Sequence, residues 1–421
     1  MNLIFLFLTA VNLSSEITIE NYLRRNLEVS HEIKKQEEEL EYSKRSYIYQ
    51  LYDMYLPQIS YNFSTDLYSD YKKNLSFEKD YSSSYLSVSK NIFNNFKDDL
   101  NLKNSFINFE ISSNNLWLAK QEISYNAINT YINYLKAIKL LEVSKLNKKS
   151  YEEQYEKTKS YYNEGLRSYS DLLKSELNLK TAELYYLSQQ NYLKNSLMNF
   201  NSLYYEDPLK EETLSDIVFD ENIKIPGETE AVEKALKNRK EIDTLKKNLK
   251  IKENEFKKSK INLYPELKLD FSYSRQNILS LSNKKDTNYS LSFSMFYPFG
   301  PSELVDKSAQ KYRAESELEQ LKRKLNETEI SIKKEVIAAL LSLSYVIKRY
   351  EVAKIKIKIS RDNLDIIKQK YAEGKASVID LIDAQKDELD ANTEVAESYY
   401  ELYLSIISLK KAMGEKLWNG E

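Results

Sequence analysis

Few residue types in this chain could do chemistry. There is no cysteine, which excludes disulfides, thiolate metal sites and cysteine nucleophiles. His31 is the single histidine and reads as an exposed helix residue. No glycine-rich phosphate loop, Ser/His/Asp set or metal-ligand cluster stands out, so an enzyme is not expected and neither is a cofactor. What remains is a pair of carboxylates, Asp380 and Asp383, at the start of a helical pattern. Spacing alone leaves two readings open. They are first-turn acids that suit the helix dipole, or charges that face a pore and draw cations into it. Tyr371, shortly before them, reads as a packing residue of a helical seam.

The elements that must hold these groups can be read from glycine and proline. The stretch YAEGKASVIDLIDAQ (371–385) lies within Glu303–Lys411, which has no proline, and Gly374 is the only glycine between Gly300 and Gly414. A lone glycine followed by a capping Ser377 and a renewed apolar pattern predicts helix, tight turn and helix. The stretch has a twin, YNEGLRSYSDL at 162–172, offset by 371 − 162 = 209, with Gly165, Ser168, Asp171 and Leu172 in register. The chain is therefore a tandem duplication, each half folding a long helical hairpin about an E-G turn.

With 421 residues the chain exceeds ordinary single-domain size, and its net charge of −2 gives no reason to expect nucleic acid. Six glycines and six prolines fit a mostly helical protein. Residues 1–15 carry an apolar run too short to span a bilayer and read as an export signal. Residues 16–55 read as helix. The period then becomes two. Ile59, Tyr61, Phe63 and Leu67 alternate with Ser60, Asn62 and Ser64, and Leu86 and Val88 alternate with serines, although Lys90 falls on the apolar side. In the second half Leu267, Leu269, Phe271 and Tyr273 form one row, and Tyr289, Leu291, Phe293 and Met295 another.

Strands of about 9–11 residues with one apolar, aromatic-rich face fit a transmembrane sheet, with Phe63, Phe271 and Phe293 toward lipid. Four strands cannot close a barrel, and an open sheet would leave backbone groups unpaired in lipid. The other reading is a pair of soluble hairpins with one buried face; if these are membrane strands, the barrel must be shared between chains.

The expected organisation is a first repeat, 16–206, with a β-hairpin at about 57–93 and a helical hairpin at about 95–204. A linker at 207–230 leads to a second repeat, 231–414, with a β-hairpin at about 264–299, a helical hairpin at about 302–411 and a tail at 415–421. Val346, Tyr350, Ala353, Ile357, Ser360, Leu364, Ile367 and Tyr371 alternate four-and-three spacing, a coiled-coil seam.

Half by half, this order resembles the TolC-like outer-membrane efflux family. The residues that carry the resemblance are LPQISYNFS, LYPELKLDFSYS, YPFGP and above all YAEGKASVIDLIDAQ. It implies a mainly α fold with a transmembrane β portion, assembled as a homotrimer with a shared twelve-stranded barrel and a helical barrel projecting into the periplasm. It implies an outer-membrane location among lipid and a passive exit duct for tripartite efflux or type I secretion. Its partners would be a periplasmic adaptor protein and an inner-membrane pump. In the family the turns close the periplasmic tip; Asp380 and Asp383 match pore-facing rings there, and Tyr371 and Asp171 match a bonded pair. The family's arginine two residues past the second glycine is Ala376 here, with Lys375 as a neighbouring candidate. A secreted coiled-coil structural protein is the alternative, but it would have no use for amphipathic strands.

Overall fold

Two long, nearly glycine-free segments fold as pairs of helices because nothing within each helix interrupts the backbone ladder, and the strands sit where the apolar period is two. The computed structural model describes residues 16–65, 81–219, 223–261, 264–278, 285–297 and 300–418. The signal expected at 1–15 lies outside them. In chain order the elements are α1 (Ile19–Val29), α2 (His31–Tyr55), β1 (Gln58–Thr65), β2 (Tyr81–Phe93), α3 (Lys97–Asn163), α4 (Tyr169–Ser202), α5 (Glu228–Asn238), α6 (Lys240–Ile261), β3 (Glu266–Ile278), β4 (Lys285–Phe296), α7 (Pro301–Ala372) and α8 (Val378–Ala412). The duplication is visible in these bounds. α1 and α5 start 228 − 19 = 209 residues apart, and α4 and α8 start 378 − 169 = 209 apart.

The same offset marks a break that the periodicity does not announce. The segments 16–55 and 231–248 read as continuous helix, yet each is interrupted once, at Ser30 (ψ 121°) and at Arg239 (ψ 118°). Each break has a side-chain reason. Ser30 Oγ accepts from Ile33 N at 3.4 Å and so begins α2. The Arg239 guanidinium forks onto both oxygens of Glu335 at 3.0 and 3.1 Å and reaches the Ala412 carbonyl at 3.2 Å.

The chain divides into two compact units. One comprises the chain up to Lys34, Trp117–Arg239 and Glu329–Glu421. Its main core is aromatic: Tyr22, Tyr131, Tyr134, Phe200 and Tyr204 are buried together, with Tyr22 stacked on Phe200 at 4.3 Å between ring centroids. The linker is tied down here, because Ile17 pairs with Leu214 and the Tyr131 hydroxyl lies 2.8 and 2.7 Å from the carbonyls of Ile17 and Ser215.

The other unit, Lys35–Leu116 with Lys240–Thr328, carries an antiparallel sheet in the order β1-β2-β3-β4. β2, β3 and β4 run 13, 13 and 12 residues, slightly longer than the expected strands. Cross-strand register aligns the two kinds of residue into rows. Ile59, Val88, Phe271 and Leu291 form one row, and Ser60, Ser87, Ser272 and Ser290 the next. The hydroxyls of Ser60 and Ser87, and of Ser272 and Ser290, lie 2.6 Å apart.

The strand-to-helix corners differ between the halves. α7 starts on Pro301, a residue suited to the first helical position. Before α3 there is no proline, and Asn95 and Phe96 turn the chain with φ of 51° and 56°. Among the described residues, no helix is long and apolar enough to cross a membrane.

Lys90, the misfit in the apolar row of β2, is explained by its partners. Its ammonium donates to the carbonyls of Asp53, Met54 and Leu56 at 2.9, 2.8 and 3.0 Å, capping the C-terminal end of α2, where the helix leaves carbonyls unsatisfied. Lys90→Met should therefore destabilise the folded protein by about 2 kcal/mol, the scale of hydrogen bonds to a charged donor. A thermal unfolding midpoint in detergent that does not fall would show that this cap holds nothing.

Candidate functional site

The site is built by two copies of one backbone device. Gly165 and Gly374 have φ of +73° and +74°, the left-handed region that costs other residues about 1–2 kcal/mol. Leu166 N bonds the Tyr161 carbonyl at 2.8 Å and Gly165 N bonds Tyr162 at 2.9 Å; Lys375 N bonds Lys370 at 2.7 Å and Gly374 N bonds Tyr371 at 3.1 Å. These pairs close both helices in the same way. Two residues past each glycine's neighbour a serine caps the next helix. Ser168 is paired with Asp171 and Ser377 with Asp380, each a reciprocal capping box.

This geometry assigns Asp171 and Asp380 a local task. Asp380 accepts from Ser377 N at 2.8 Å and from its hydroxyl at 2.7 Å, and these bonds hold its carboxyl below the usual carboxylate range. It is exposed and charged. Asp171 accepts from Ser168 N at 3.3 Å. Asp383 is exposed near the start of the same helix. Tyr151 of α3 is pushed up to about 12, first by burial, then by the charges of Asp390 and Asp383.

Tyr371 is 3 % exposed. The bond expected between Tyr371 and Asp171 is not made. The Tyr371 hydroxyl lies 3.2 Å from Thr158 Oγ1, and Thr158, fully buried, donates its own proton to the Gln154 carbonyl at 3.0 Å. The Tyr371 hydroxyl is thus engaged with α3 while the Asp171 carboxylate is engaged in its capping box. Lys375, the neighbouring candidate for the family's arginine, has its partner close by. It is paired with Glu373 on its own turn at 2.7 Å.

Three features escaped the reading of the sequence. The first is Arg167, whose guanidinium sits 4.3 Å from the Tyr371 ring centroid and donates to the Tyr371 carbonyl at 3.1 Å. The signal was available, since 376 − 167 = 209 makes Arg167 the repeat partner of Ala376. The second is an acidic stripe on α8. Asp380, Asp383, Asp387, Asp390, Glu394, Glu397 and Glu401 follow three-and-four spacing. Its far end is neutralised by α7, where Arg349 lies 3.4 Å from Glu397 and Lys356 2.9 Å from Glu394. The third is that α4 and α7 each carry an exposed apolar stripe: Leu173, Leu177, Leu184 and Leu187 on α4, and Leu341, Tyr345, Val352, Ile355, Ile359 and Ile366 on α7. Phe63, Phe271 and Phe293 are all exposed on the strands. Among the described residues no three His, Cys, Asp or Glu are grouped to hold a metal ion.

A family model described as outer membrane efflux protein matches residues 23–203 and 231–415, both repeats without the segment between them. The chain belongs to the outer membrane efflux protein family. Solved structures agree on the fold. The chain is similar to the CusC channel, at a TM-score of 0.80 and 14 % identity, over 94 % of this chain and 92 % of that one. It is similar to VceC from Vibrio cholerae (TM-score 0.79, 13 % identity, 95 % and 96 % covered) and to CmeC from Campylobacter jejuni (0.79, 18 %, 94 % and 85 %). A comparison with curated proteins gives no match. As an outer membrane efflux protein the chain is an exit duct of efflux systems in the outer membrane.

The turn geometry makes a testable distinction. Tyr371→Phe and Thr158→Val should be non-additive, with a coupling of about 1 kcal/mol, because they remove the same hydrogen bond. Tyr371→Phe and Asp171→Asn should simply add. Thermal unfolding of the four proteins of each cycle checks this, and coupling of Tyr371 to Asp171 instead would overturn the assignment.

Proposed function

We propose that this outer membrane efflux protein works as a homotrimer, a passive duct closed at the E-G turns and served by a periplasmic adaptor protein and an inner-membrane pump. Residues 16–206 and 231–414 supply one hairpin pair each. The observation that carries the proposal is the sheet. It has one apolar row system, and the outer edges of β1 and β4 have no partner strand among the described residues. In hydrocarbon such edges would cost several kcal/mol for each unpaired group. Four alternating strands leave β1 and β4 antiparallel to each other, so β4 of one copy can pair with β1 of the next. Two copies would give about the smallest barrel, whose interior side chains fill. Three give twelve strands and room for a lumen.

The exposed stripes on α4 and α7 support the same assembly. Both are apolar, both keep coiled-coil spacing, and neither is covered by the described residues. Each would meet a neighbouring copy. Threefold symmetry would then gather Asp380 and Asp383 about one axis, where like charges repel and attract cations. Partnership with an adaptor and pump is supported by the family to which the chain belongs.

Mass measurement in detergent should give three chains; a membrane-inserted monomer would sink the shared barrel. Phe271→Arg, in the row with Val88 and Leu291, should reduce trimer yield by a cost of about 2–4 kcal/mol if that row meets the bilayer near its middle, and Ser272→Arg far less. Phe293 shares a row with Leu269 and, through it, Lys90, nearer the helix end, so Phe293→Arg should fall between them. Equal losses on both faces would mean that these rows do not divide lipid from lumen. For the turn end, Asp380→Asn with Asp383→Asn should lower cation preference in planar bilayers while the trimer persists. Unchanged selectivity would remove these aspartates from the pore.

A further inference from the structure

We infer that Arg167 is the positioning residue that clamps the second E-G turn onto the first hairpin, and so sets how readily the α7–α8 turn swings away from α3 and α4. The inference rests on the exit-duct reading only for its effect on conduction; the clamp itself stands on contacts within one chain.

Tyr371 is prepared to be gripped. Its ring is buried, its hydroxyl is held by Thr158, and Gln154 Nε2 in turn donates to Thr158 Oγ1 at 3.0 Å. The ring is therefore fixed before the arginine reaches it, which lowers the ordering cost of stacking a guanidinium on its face. Arg167 then makes two contacts with this one residue, the ring at 4.3 Å and the backbone carbonyl at 3.1 Å. That carbonyl is the one that accepts from Gly374 N to close the second turn. Pulling Arg167 away thus loosens the backbone bond at the turn as well as the ring.

The lever is short. Arg167 lies between Gly165, whose left-handed backbone fixes the first turn, and Ser168, which caps α4. Its planar fork suits a stack plus a carbonyl, a pairing that a lysine ammonium cannot reproduce. Other tip residues offer no equivalent. Ala376, its repeat partner, has no polar side chain, and Lys375 is engaged by Glu373. The reverse clamp is absent as well. Tyr162, the repeat partner of Tyr371, is exposed and packs locally, its ring tilted against Tyr169 at 5.8 Å between centroids. An ordinary surface arginine would stack on a mobile, exposed ring. This one binds a buried ring whose other end is already tied.

Two readouts on the full chain test the clamp. By hydrogen exchange in detergent, Arg167→Ala should speed exchange of the Gly374 and Lys375 amides roughly tenfold, the loss of one stack and one hydrogen bond. Arg167→Lys, which can keep the carbonyl bond but not the flat stack, should lie between parent and alanine. In planar bilayers Arg167→Ala should raise single-channel conductance several-fold with ion preference and trimer mass unchanged. Exchange at the parent rate in Arg167→Ala would overturn the clamp. Faster exchange with conductance at the parent level would overturn its part in opening. A parent protein that passes no ions would instead strike the duct reading, and the exchange rates would still decide whether Arg167 holds the turn.

Discussion

A backbone N–H or C=O without a partner is tolerable in water and costly in hydrocarbon. The sheet of this chain must live with that constraint, because its rows put Ile59, Val88, Phe271 and Leu291 together on one side and serines on the other. Among the described residues no second sheet covers such a face. Copies of the chain can pair its edges, and strand parity allows the pairing to be antiparallel throughout. The helices of the same chain must then repeat at the same symmetry. Uncovered apolar stripes on α4 and α7 are what a helical layer needs if it is to continue the closure begun by strands.

The duplication was legible because it lies in local patterns: two E-G turns, two capping serines and two alternating hairpins at one offset. The seam through Val346, Tyr350, Ala353, Ser360, Leu364 and Tyr371 was legible for the same reason, and these residues are buried. What escaped is contact between segments distant in sequence. Arg239 breaks its helix for Glu335 and Ala412, far along the chain. Lys90 looked like an error in an apolar row until the end of α2 supplied three carbonyls. Periodicity records which face a residue occupies, and it is silent on what that face meets.

The tip shows a subtler limit. Position by position, the family pattern led to Tyr371, Asp171 and a missing arginine at Ala376. The duplication allows another solution, since a side chain needed between two turns can be supplied from either. Here Arg167 comes from the first turn, and Asp171 stays with Ser168. Matching motifs along one repeat at a time cannot detect such an exchange; overlaying the repeats does.

Matching E-G turns with unequal chemistry also bear on stoichiometry. Three chains would present six hairpins of nearly one shape, alternating an arginine-bearing turn with an acid-striped one. To a protein that grips shape, these are six equivalent berths. To one that reads charge they are two sets of three. A sixfold ring of identical subunits docking there would have to tolerate two environments, so half of its subunits would bind differently from the rest.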